Sequence, residues 1–135
     1  MLKRISIKGA GIGVIVVSSL VIIIELLIIL RVLPFDIIGG GRLENYQEAM
    51  QTATLSIVIL VINCIITLIG SGIIEFNRFK KVIRVWLWIF FSYMCINIVL
   101  NLLGITLFEK IVMTLVSLIQ AILLLRIAAY KSNVN

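Results

Sequence analysis

The 135-residue chain has no histidine, one proline, two cysteines and only 13% charged residues. Without histidine it lacks the commonest general base and the commonest metal ligand. Cys64 and Cys95 lie inside long apolar runs and form no C-x-x-C pair, which disfavours a thiol oxidoreductase and leaves them as small packing residues. No pairing of a nucleophile with a base can be read out, and the G-x-x-x-x-G-K-[ST] phosphate loop is missing. The expectation is therefore a non-enzymatic protein with no cofactor and no metal site. Scarcity of charge decides the class. An ordinary soluble domain carries about 25% charged residues, whereas this chain is 62% hydrophobic.

What is present is four runs of membrane-spanning length, at residues 9–30, 52–74, 85–107 and 111–129. Each is close to the ~20 apolar residues that cross a bilayer. The leader before the first run carries Lys3, Arg4 and Lys8, as a secretory signal would. The run is longer than a signal core and no A-x-A site follows, so it reads as an uncleaved first span. The hydrophilic pieces, a loop at 31–51 and a loop at 75–84, are too short for a separate soluble core. Residues 1–135 are expected to form one membrane domain, an all-α polytopic protein folded as an antiparallel up-and-down bundle of four transmembrane helices.

Orientation follows from the basic residues. Nine of them (Lys3, Arg4, Lys8, Arg78, Lys80, Lys81, Arg84, Arg126, Lys131) fall at one end of the expected bundle and three (Arg31, Arg42, Lys110) at the other. This bias places both termini in the cytoplasm, in the cytoplasmic (inner) membrane. A net charge of +6 is compatible with nucleic-acid binding, but the basic residues sit at span ends rather than on a folded soluble face. They read as topology signals and contacts with anionic lipid heads, with Arg126 snorkelling from the last turn of the fourth span.

Within the spans the polar residues recur at three, four and seven positions, which keeps them on one side of a helix. These stripes are Gly11, Ser18 and Glu25; Ser56, Asn63, Thr67 and Gly70; Tyr93, Asn97, Asn101 and Gly104; and Thr114, Ser117, Ala121 and Ala128, with Gln120 on the edge. The stripes suit one another and the aliphatic faces suit lipid. Glu25 and Asn101 each stand 16 residues above the inner ends of their spans, on the order of 24 Å at the helical rise. Ser56 and Thr114 fall near the same level, and Asn63, Asn97 and Gln120 form a second level near the midplane.

Glu25 is the principal candidate residue. An ionisable group inside a span costs about 2.5–3.5 kcal/mol even on the lenient insertion scale. Three arrangements would offset that cost: Arg31 or Arg42 folding back from the loop, a neutral carboxyl in an apolar setting, or a wet pocket open to the outside. Glu25 then either locks helix packing or serves as a proton, cation or ligand site. With it stand Asn63, Asn97, Asn101 and Gln120 as ligand- or proton-binding candidates. In the loop at 31–51, Pro34 suits a helix end and Gly39, Gly40 and Gly41 suit a re-entry turn, which beside Arg42 could also cradle an anion. Asn45 and Glu48 form a capping pair that starts the second helix.

The chain resembles a group of small bacterial four-span proteins of unassigned function. Pro34 and Phe35, followed by Gly40, Gly41 and Arg42, carry that resemblance, together with the Asn97 and Asn101 span running into Phe108 and Glu109. It implies the same four-span topology and weight on Arg42 and Glu109 at the outer face. A second resemblance is to the small multidrug resistance transporters, which also have four spans and a glutamate in the first. The chain departs from them because Glu25 lies toward the outer end and the charge bias opposes dual insertion. Three functions follow as expectations. The first is a membrane protein whose outward-facing polar pocket binds a small molecule, a lipid-like ligand or a partner helix. The alternatives are a proton-coupled transporter using Glu25 and a membrane immunity or accessory protein. The partners expected are the lipid bilayer and a homo-oligomer or partner membrane protein, not nucleic acid.

Overall fold

Ser6 stops the chain before the first span by accepting the Gly9 amide at 2.9 Å, a side-chain N-cap. Helix α1 (Ile7–Ile29) follows. The computed structural model describes residues 2–37 and 42–130. In it α2 is Tyr46–Gly70, α3 is Lys80–Leu102 and α4 is Thr114–Ala128, the last preceded by a π-helical turn at Glu109–Met113. The four long apolar helices form a bundle, with no strand among the described residues. Each of the four helical segments, taking Glu109–Ala128 as one, is long and apolar enough to cross a membrane.

The helices differ in their ends from the apolar runs. The second starts at 46 rather than 52, because Asn45 accepts the Glu48 amide at 2.9 Å while Glu48 accepts the Glu44 amide at 3.0 Å. The third runs from 80 to 102 rather than 85 to 107. It takes in Lys80, Lys81 and Arg84, whose aliphatic stems suit the edge of a span. It stops where Gly104 donates its amide to Asn101 O at 3.1 Å. Hydropathy marks what lipid covers, and caps mark where hydrogen bonding begins and ends.

One end of the bundle, the terminal end, gathers both chain ends and the α2–α3 connection. Arg126 Nε donates to Ile5 O at 2.9 Å and Arg84 Nη2 to Tyr130 O at 3.1 Å. Arg126 thus ties the two chain ends together instead of standing free at the membrane edge. Lys131, counted among the basic residues of this end, lies outside the described residues. The half of the bundle nearest this end has an apolar core built from Ala10, Val14, Leu87, Phe90, Leu124 and Ile127, beside a second cavity of about 270 Å³ that Ser71, Glu75, Lys80, Arg84 and Tyr130 help to line. Small residues let the helices approach. A Cβ on Gly11 would fall 2.6 Å from Ser71 Cβ on the far side of α2, and one on Gly13 would fall 2.8 Å from Leu123 Cδ1 of α4.

The opposite end, the loop end, carries the 30–45 connection and the α3–α4 connection. Here Phe35–Ile37 forms a short 3-10 turn that packs with Leu33 and Leu43 on Ile28, Ala49 and Ala53. Gly39, Gly40 and Gly41, expected to form a re-entry turn, lie outside the described residues. Most of the outer surface is aliphatic and exposed, as at Ile12, Val16, Leu20 and Ile23 along α1, which is the face that lipid covers. The chain is a multi-pass membrane protein.

Candidate functional site

The polar stripes converge in the loop-end half. Glu25 follows Ser18 by seven residues, so both are buried on the same side of α1. Glu25 is 7% exposed, and Ser56 of α2 is its side-chain hydrogen-bonding neighbour. Its second oxygen, Oε2, meets no hydrogen-bond partner. A buried carboxyl oxygen left unpaired is costly.

Glu25 lines a cavity of about 370 Å³, within the ~300–1,000 Å³ usual for small-molecule sites. Arg42 lines it from the loop, Asn97 and Asn101 from α3, Gln120 from α4 and Glu109 from the π-helical turn. Val21, Ile37, Ile59, Leu60, Met94 and Met113 supply much of the apolar wall. Two acids, one guanidinium and three amides therefore share one mostly apolar chamber. Polar groups few in number and fixed in place orient a ligand in such a site.

Each polar residue is held by its own element. Asn101 sits at the end of α3, and its Nδ2 donates to Met113 O at 3.2 Å and to Ser117 Oγ at 3.1 Å. These bonds stitch α3 to α4. Replacing Asn101 by alanine is expected to lower stability by about 1 kcal/mol, the scale of interhelical hydrogen bonds in membranes. Unfolding in a denaturing-detergent titration measures it, and an unchanged midpoint would remove Asn101 from the packing account.

Glu109 is 2% exposed. Its amide donates to Thr106 Oγ1 at 3.3 Å, and Thr106 Oγ1 lies 3.4 Å from Glu109 Oε2. The widened turn that follows, in which the Thr114 amide reaches back to Glu109 O, places Glu109 on the chamber. Such π turns occur often at functional sites. Gln120 Nε2 donates to Ser18 Oγ at 2.9 Å, while its Oε1 is buried and without a partner.

The structure thus brings six of the seven candidate residues to one cavity: Glu25, Asn97, Asn101, Gln120, Arg42 and Glu109. Asn63 is not on the cavity wall. It is fully buried farther along α2, where its Oδ1 accepts from Thr67 Oγ1 at 3.4 Å and its Nδ2 has no partner. Asn97 joins the level of Glu25 rather than that of Asn63. Thr114 is not on the cavity wall either, and its hydroxyl points to Glu109 O at 3.4 Å. Of the two arginines that might fold back, Arg31 is engaged elsewhere. Its guanidinium lies 4.1 Å from the Tyr46 ring centroid, and the Tyr46 hydroxyl donates to Ile29 O. Arg42 is the one that shares the cavity.

Sequence reasoning did not find Ile37, Met94 and Met113 as wall residues, since single apolar residues in an apolar chain carry no signal. Among the described residues no group of three His, Cys, Asp or Glu side chains comes together in the manner of a metal site. No protein-family model, curated protein or solved structure matches the chain. Its geometry alone therefore carries the functional reading.

Proposed function

We propose that this chain is a non-enzymatic ligand-binding protein of the bacterial cytoplasmic membrane, with its site in the loop-end cavity and Glu25 as the principal binding group. The observation that carries this reading is that Glu25, buried and with one carboxyl oxygen unpartnered, is among the residues lining a cavity large enough for a small molecule. A Glu kept only for packing would have its lone pairs satisfied by neighbouring helices. The basic residues gather at the terminal end, so that end faces the cytoplasm and the cavity faces outward. The resemblance to small bacterial four-span proteins would put weight on Arg42 and Glu109, and both line the cavity.

Binding is favoured over proton-coupled transport by the buried apolar layer of Val14, Phe90 and Leu124, each at most 5% exposed, none of which lines either the loop-end cavity or the terminal-end one. A carrier needs a path through that layer.

A lipid-soluble carbodiimide tests the reading, because it modifies carboxyl groups reached from an apolar or membrane-embedded space. Mass spectrometry of the treated protein is expected to find the adduct on Glu25 in preference to the exposed Glu44 and Glu75, and to find none at position 25 in Glu25→Gln. An unmodified Glu25 would contradict an accessible cavity.

A further inference from the structure

The cavity is open sideways as well as toward the loop end. Helices α2 and α3 are the least closely packed of the sequential helix neighbours. They touch near the terminal end, where a Cβ on Gly70 would lie 2.7 Å from Leu87 Cδ1. Toward the loop end the cavity occupies the space between them. Leu55 of α2 and Leu100 of α3 both line the cavity, yet they are 62% and 50% exposed. The chamber is therefore continuous with the surface that faces acyl chains.

Its charges are divided in space. The Glu25 oxygen without a donor is buried, whereas Arg42 is exposed on the same wall; Glu109, the second acid there, is already engaged by Thr106. A simple cation would leave the guanidinium unused, a simple anion would leave the carboxylate unpaired, and a polar solute without a tail would leave the apolar gap exposed. A molecule that answers all three has an ammonium, a phosphate and hydrocarbon tails. The missing element at Glu25 Oε2 is a hydrogen-bond donor, which a primary ammonium provides threefold and a quaternary one does not.

We propose that the occupant is a phosphatidylethanolamine-type lipid that enters between α2 and α3. Its ammonium is held by Glu25, its phosphate by Arg42, and its tails pass out beside Leu55 and Leu100. This rests on the loop-end cavity being a binding site.

Native mass spectrometry of the full chain in detergent tests it, with phosphatidylethanolamine, phosphatidylcholine and phosphatidylglycerol of matched tails as probes. Soluble phosphoethanolamine is titrated separately by calorimetry. One phosphatidylethanolamine is expected to be retained about tenfold better than either other lipid, the scale of a charge-assisted hydrogen bond. Glu25→Gln should erase that preference, and Arg42→Gln should weaken retention of all three lipids, which share the phosphate. Leu55→Trp with Leu100→Trp, which fills the gap and leaves the charges intact, should weaken retention of the lipid and spare phosphoethanolamine. Equal retention of the three lipids, or a preference that survives Glu25→Gln in folded protein, overturns the lipid assignment. Phosphoethanolamine binding without lipid preference overturns it too while leaving the cavity reading standing. If no probe binds and Glu25 resists the carbodiimide, both readings fall together.

Discussion

Glu25→Gln is expected to keep the four-helix fold, to raise the stability of the empty protein by roughly 1–3 kcal/mol, and to weaken ligand binding by about tenfold or more. The sign of the stability change is the informative part. Glutamine is nearly isosteric with glutamate, so it fills the same volume beside Ser56 and Val21 and opens no hole. What it removes is the cost of placing an ionisable group in a span, about 2.5–3.5 kcal/mol on the lenient scale, less the part that Ser56 and the chamber already offset. A packing residue would behave in the opposite way: its loss would destabilise the bundle and touch no binding. A denaturing-detergent titration of both proteins, together with the calorimetry described above, separates the two. Lower stability with unchanged binding would make Glu25 a structural residue.

Gly11→Leu is expected to cost the fold about 1–3 kcal/mol or more through overpacking. The first atom of any side chain at this position would meet Ser71 Cβ at 2.6 Å and Ser71 Oγ at 2.4 Å. Ser71 is itself only 4% exposed and cannot swing into lipid without unpacking its neighbours. Val16→Leu is the control, since Val16 is 52% exposed on the lipid-facing surface of the same helix. Its stability should change far less. The same detergent titration reads both, and equal losses would show that α1 and α2 do not close on each other at Gly11. Because neither Gly11 nor Ser71 lines the loop-end cavity, the substitution should change stability without altering the selectivity of that cavity.

Much of this architecture is legible in the sequence because the bilayer imposes it. An apolar run of about 20 residues has few alternatives to a spanning helix. Within a helix, spacings of three, four and seven set which residues share a face. Ser18 and Glu25, Asn97 and Asn101, and Ser117 and Gln120 are therefore buried or half-buried where the stripes put them. The stripes do not set axial register between helices. Counting from the apolar ends paired Asn97 with Asn63, whereas α3 starts at Lys80 and carries Asn97 to the level of Glu25. The ends of α2 and α3 depend on caps and on basic stems that hydropathy treats as outside the membrane. The π-helical turn is a local compromise between Glu109, Thr106 and Thr114, and no periodicity announces one. Nor does composition reveal that α2 and α3 part toward the loop end. That separation comes from how Gly70 allows contact at one end only, a property of three-dimensional packing.

The central claim is that a chamber open at the outer face reaches Glu25 inside the membrane. Cysteine accessibility measures it most directly. With the native thiols removed by Cys64→Ala and Cys95→Ala, Ser56→Cys places one thiol on the cavity wall and Asn63→Cys places one in the fully buried layer beyond it. A membrane-impermeant thiosulfonate added outside intact cells is predicted to label position 56 readily and position 63 hardly at all. Labelling of neither position, or labelling of position 56 from the cytoplasmic side only, would contradict the chamber or its orientation.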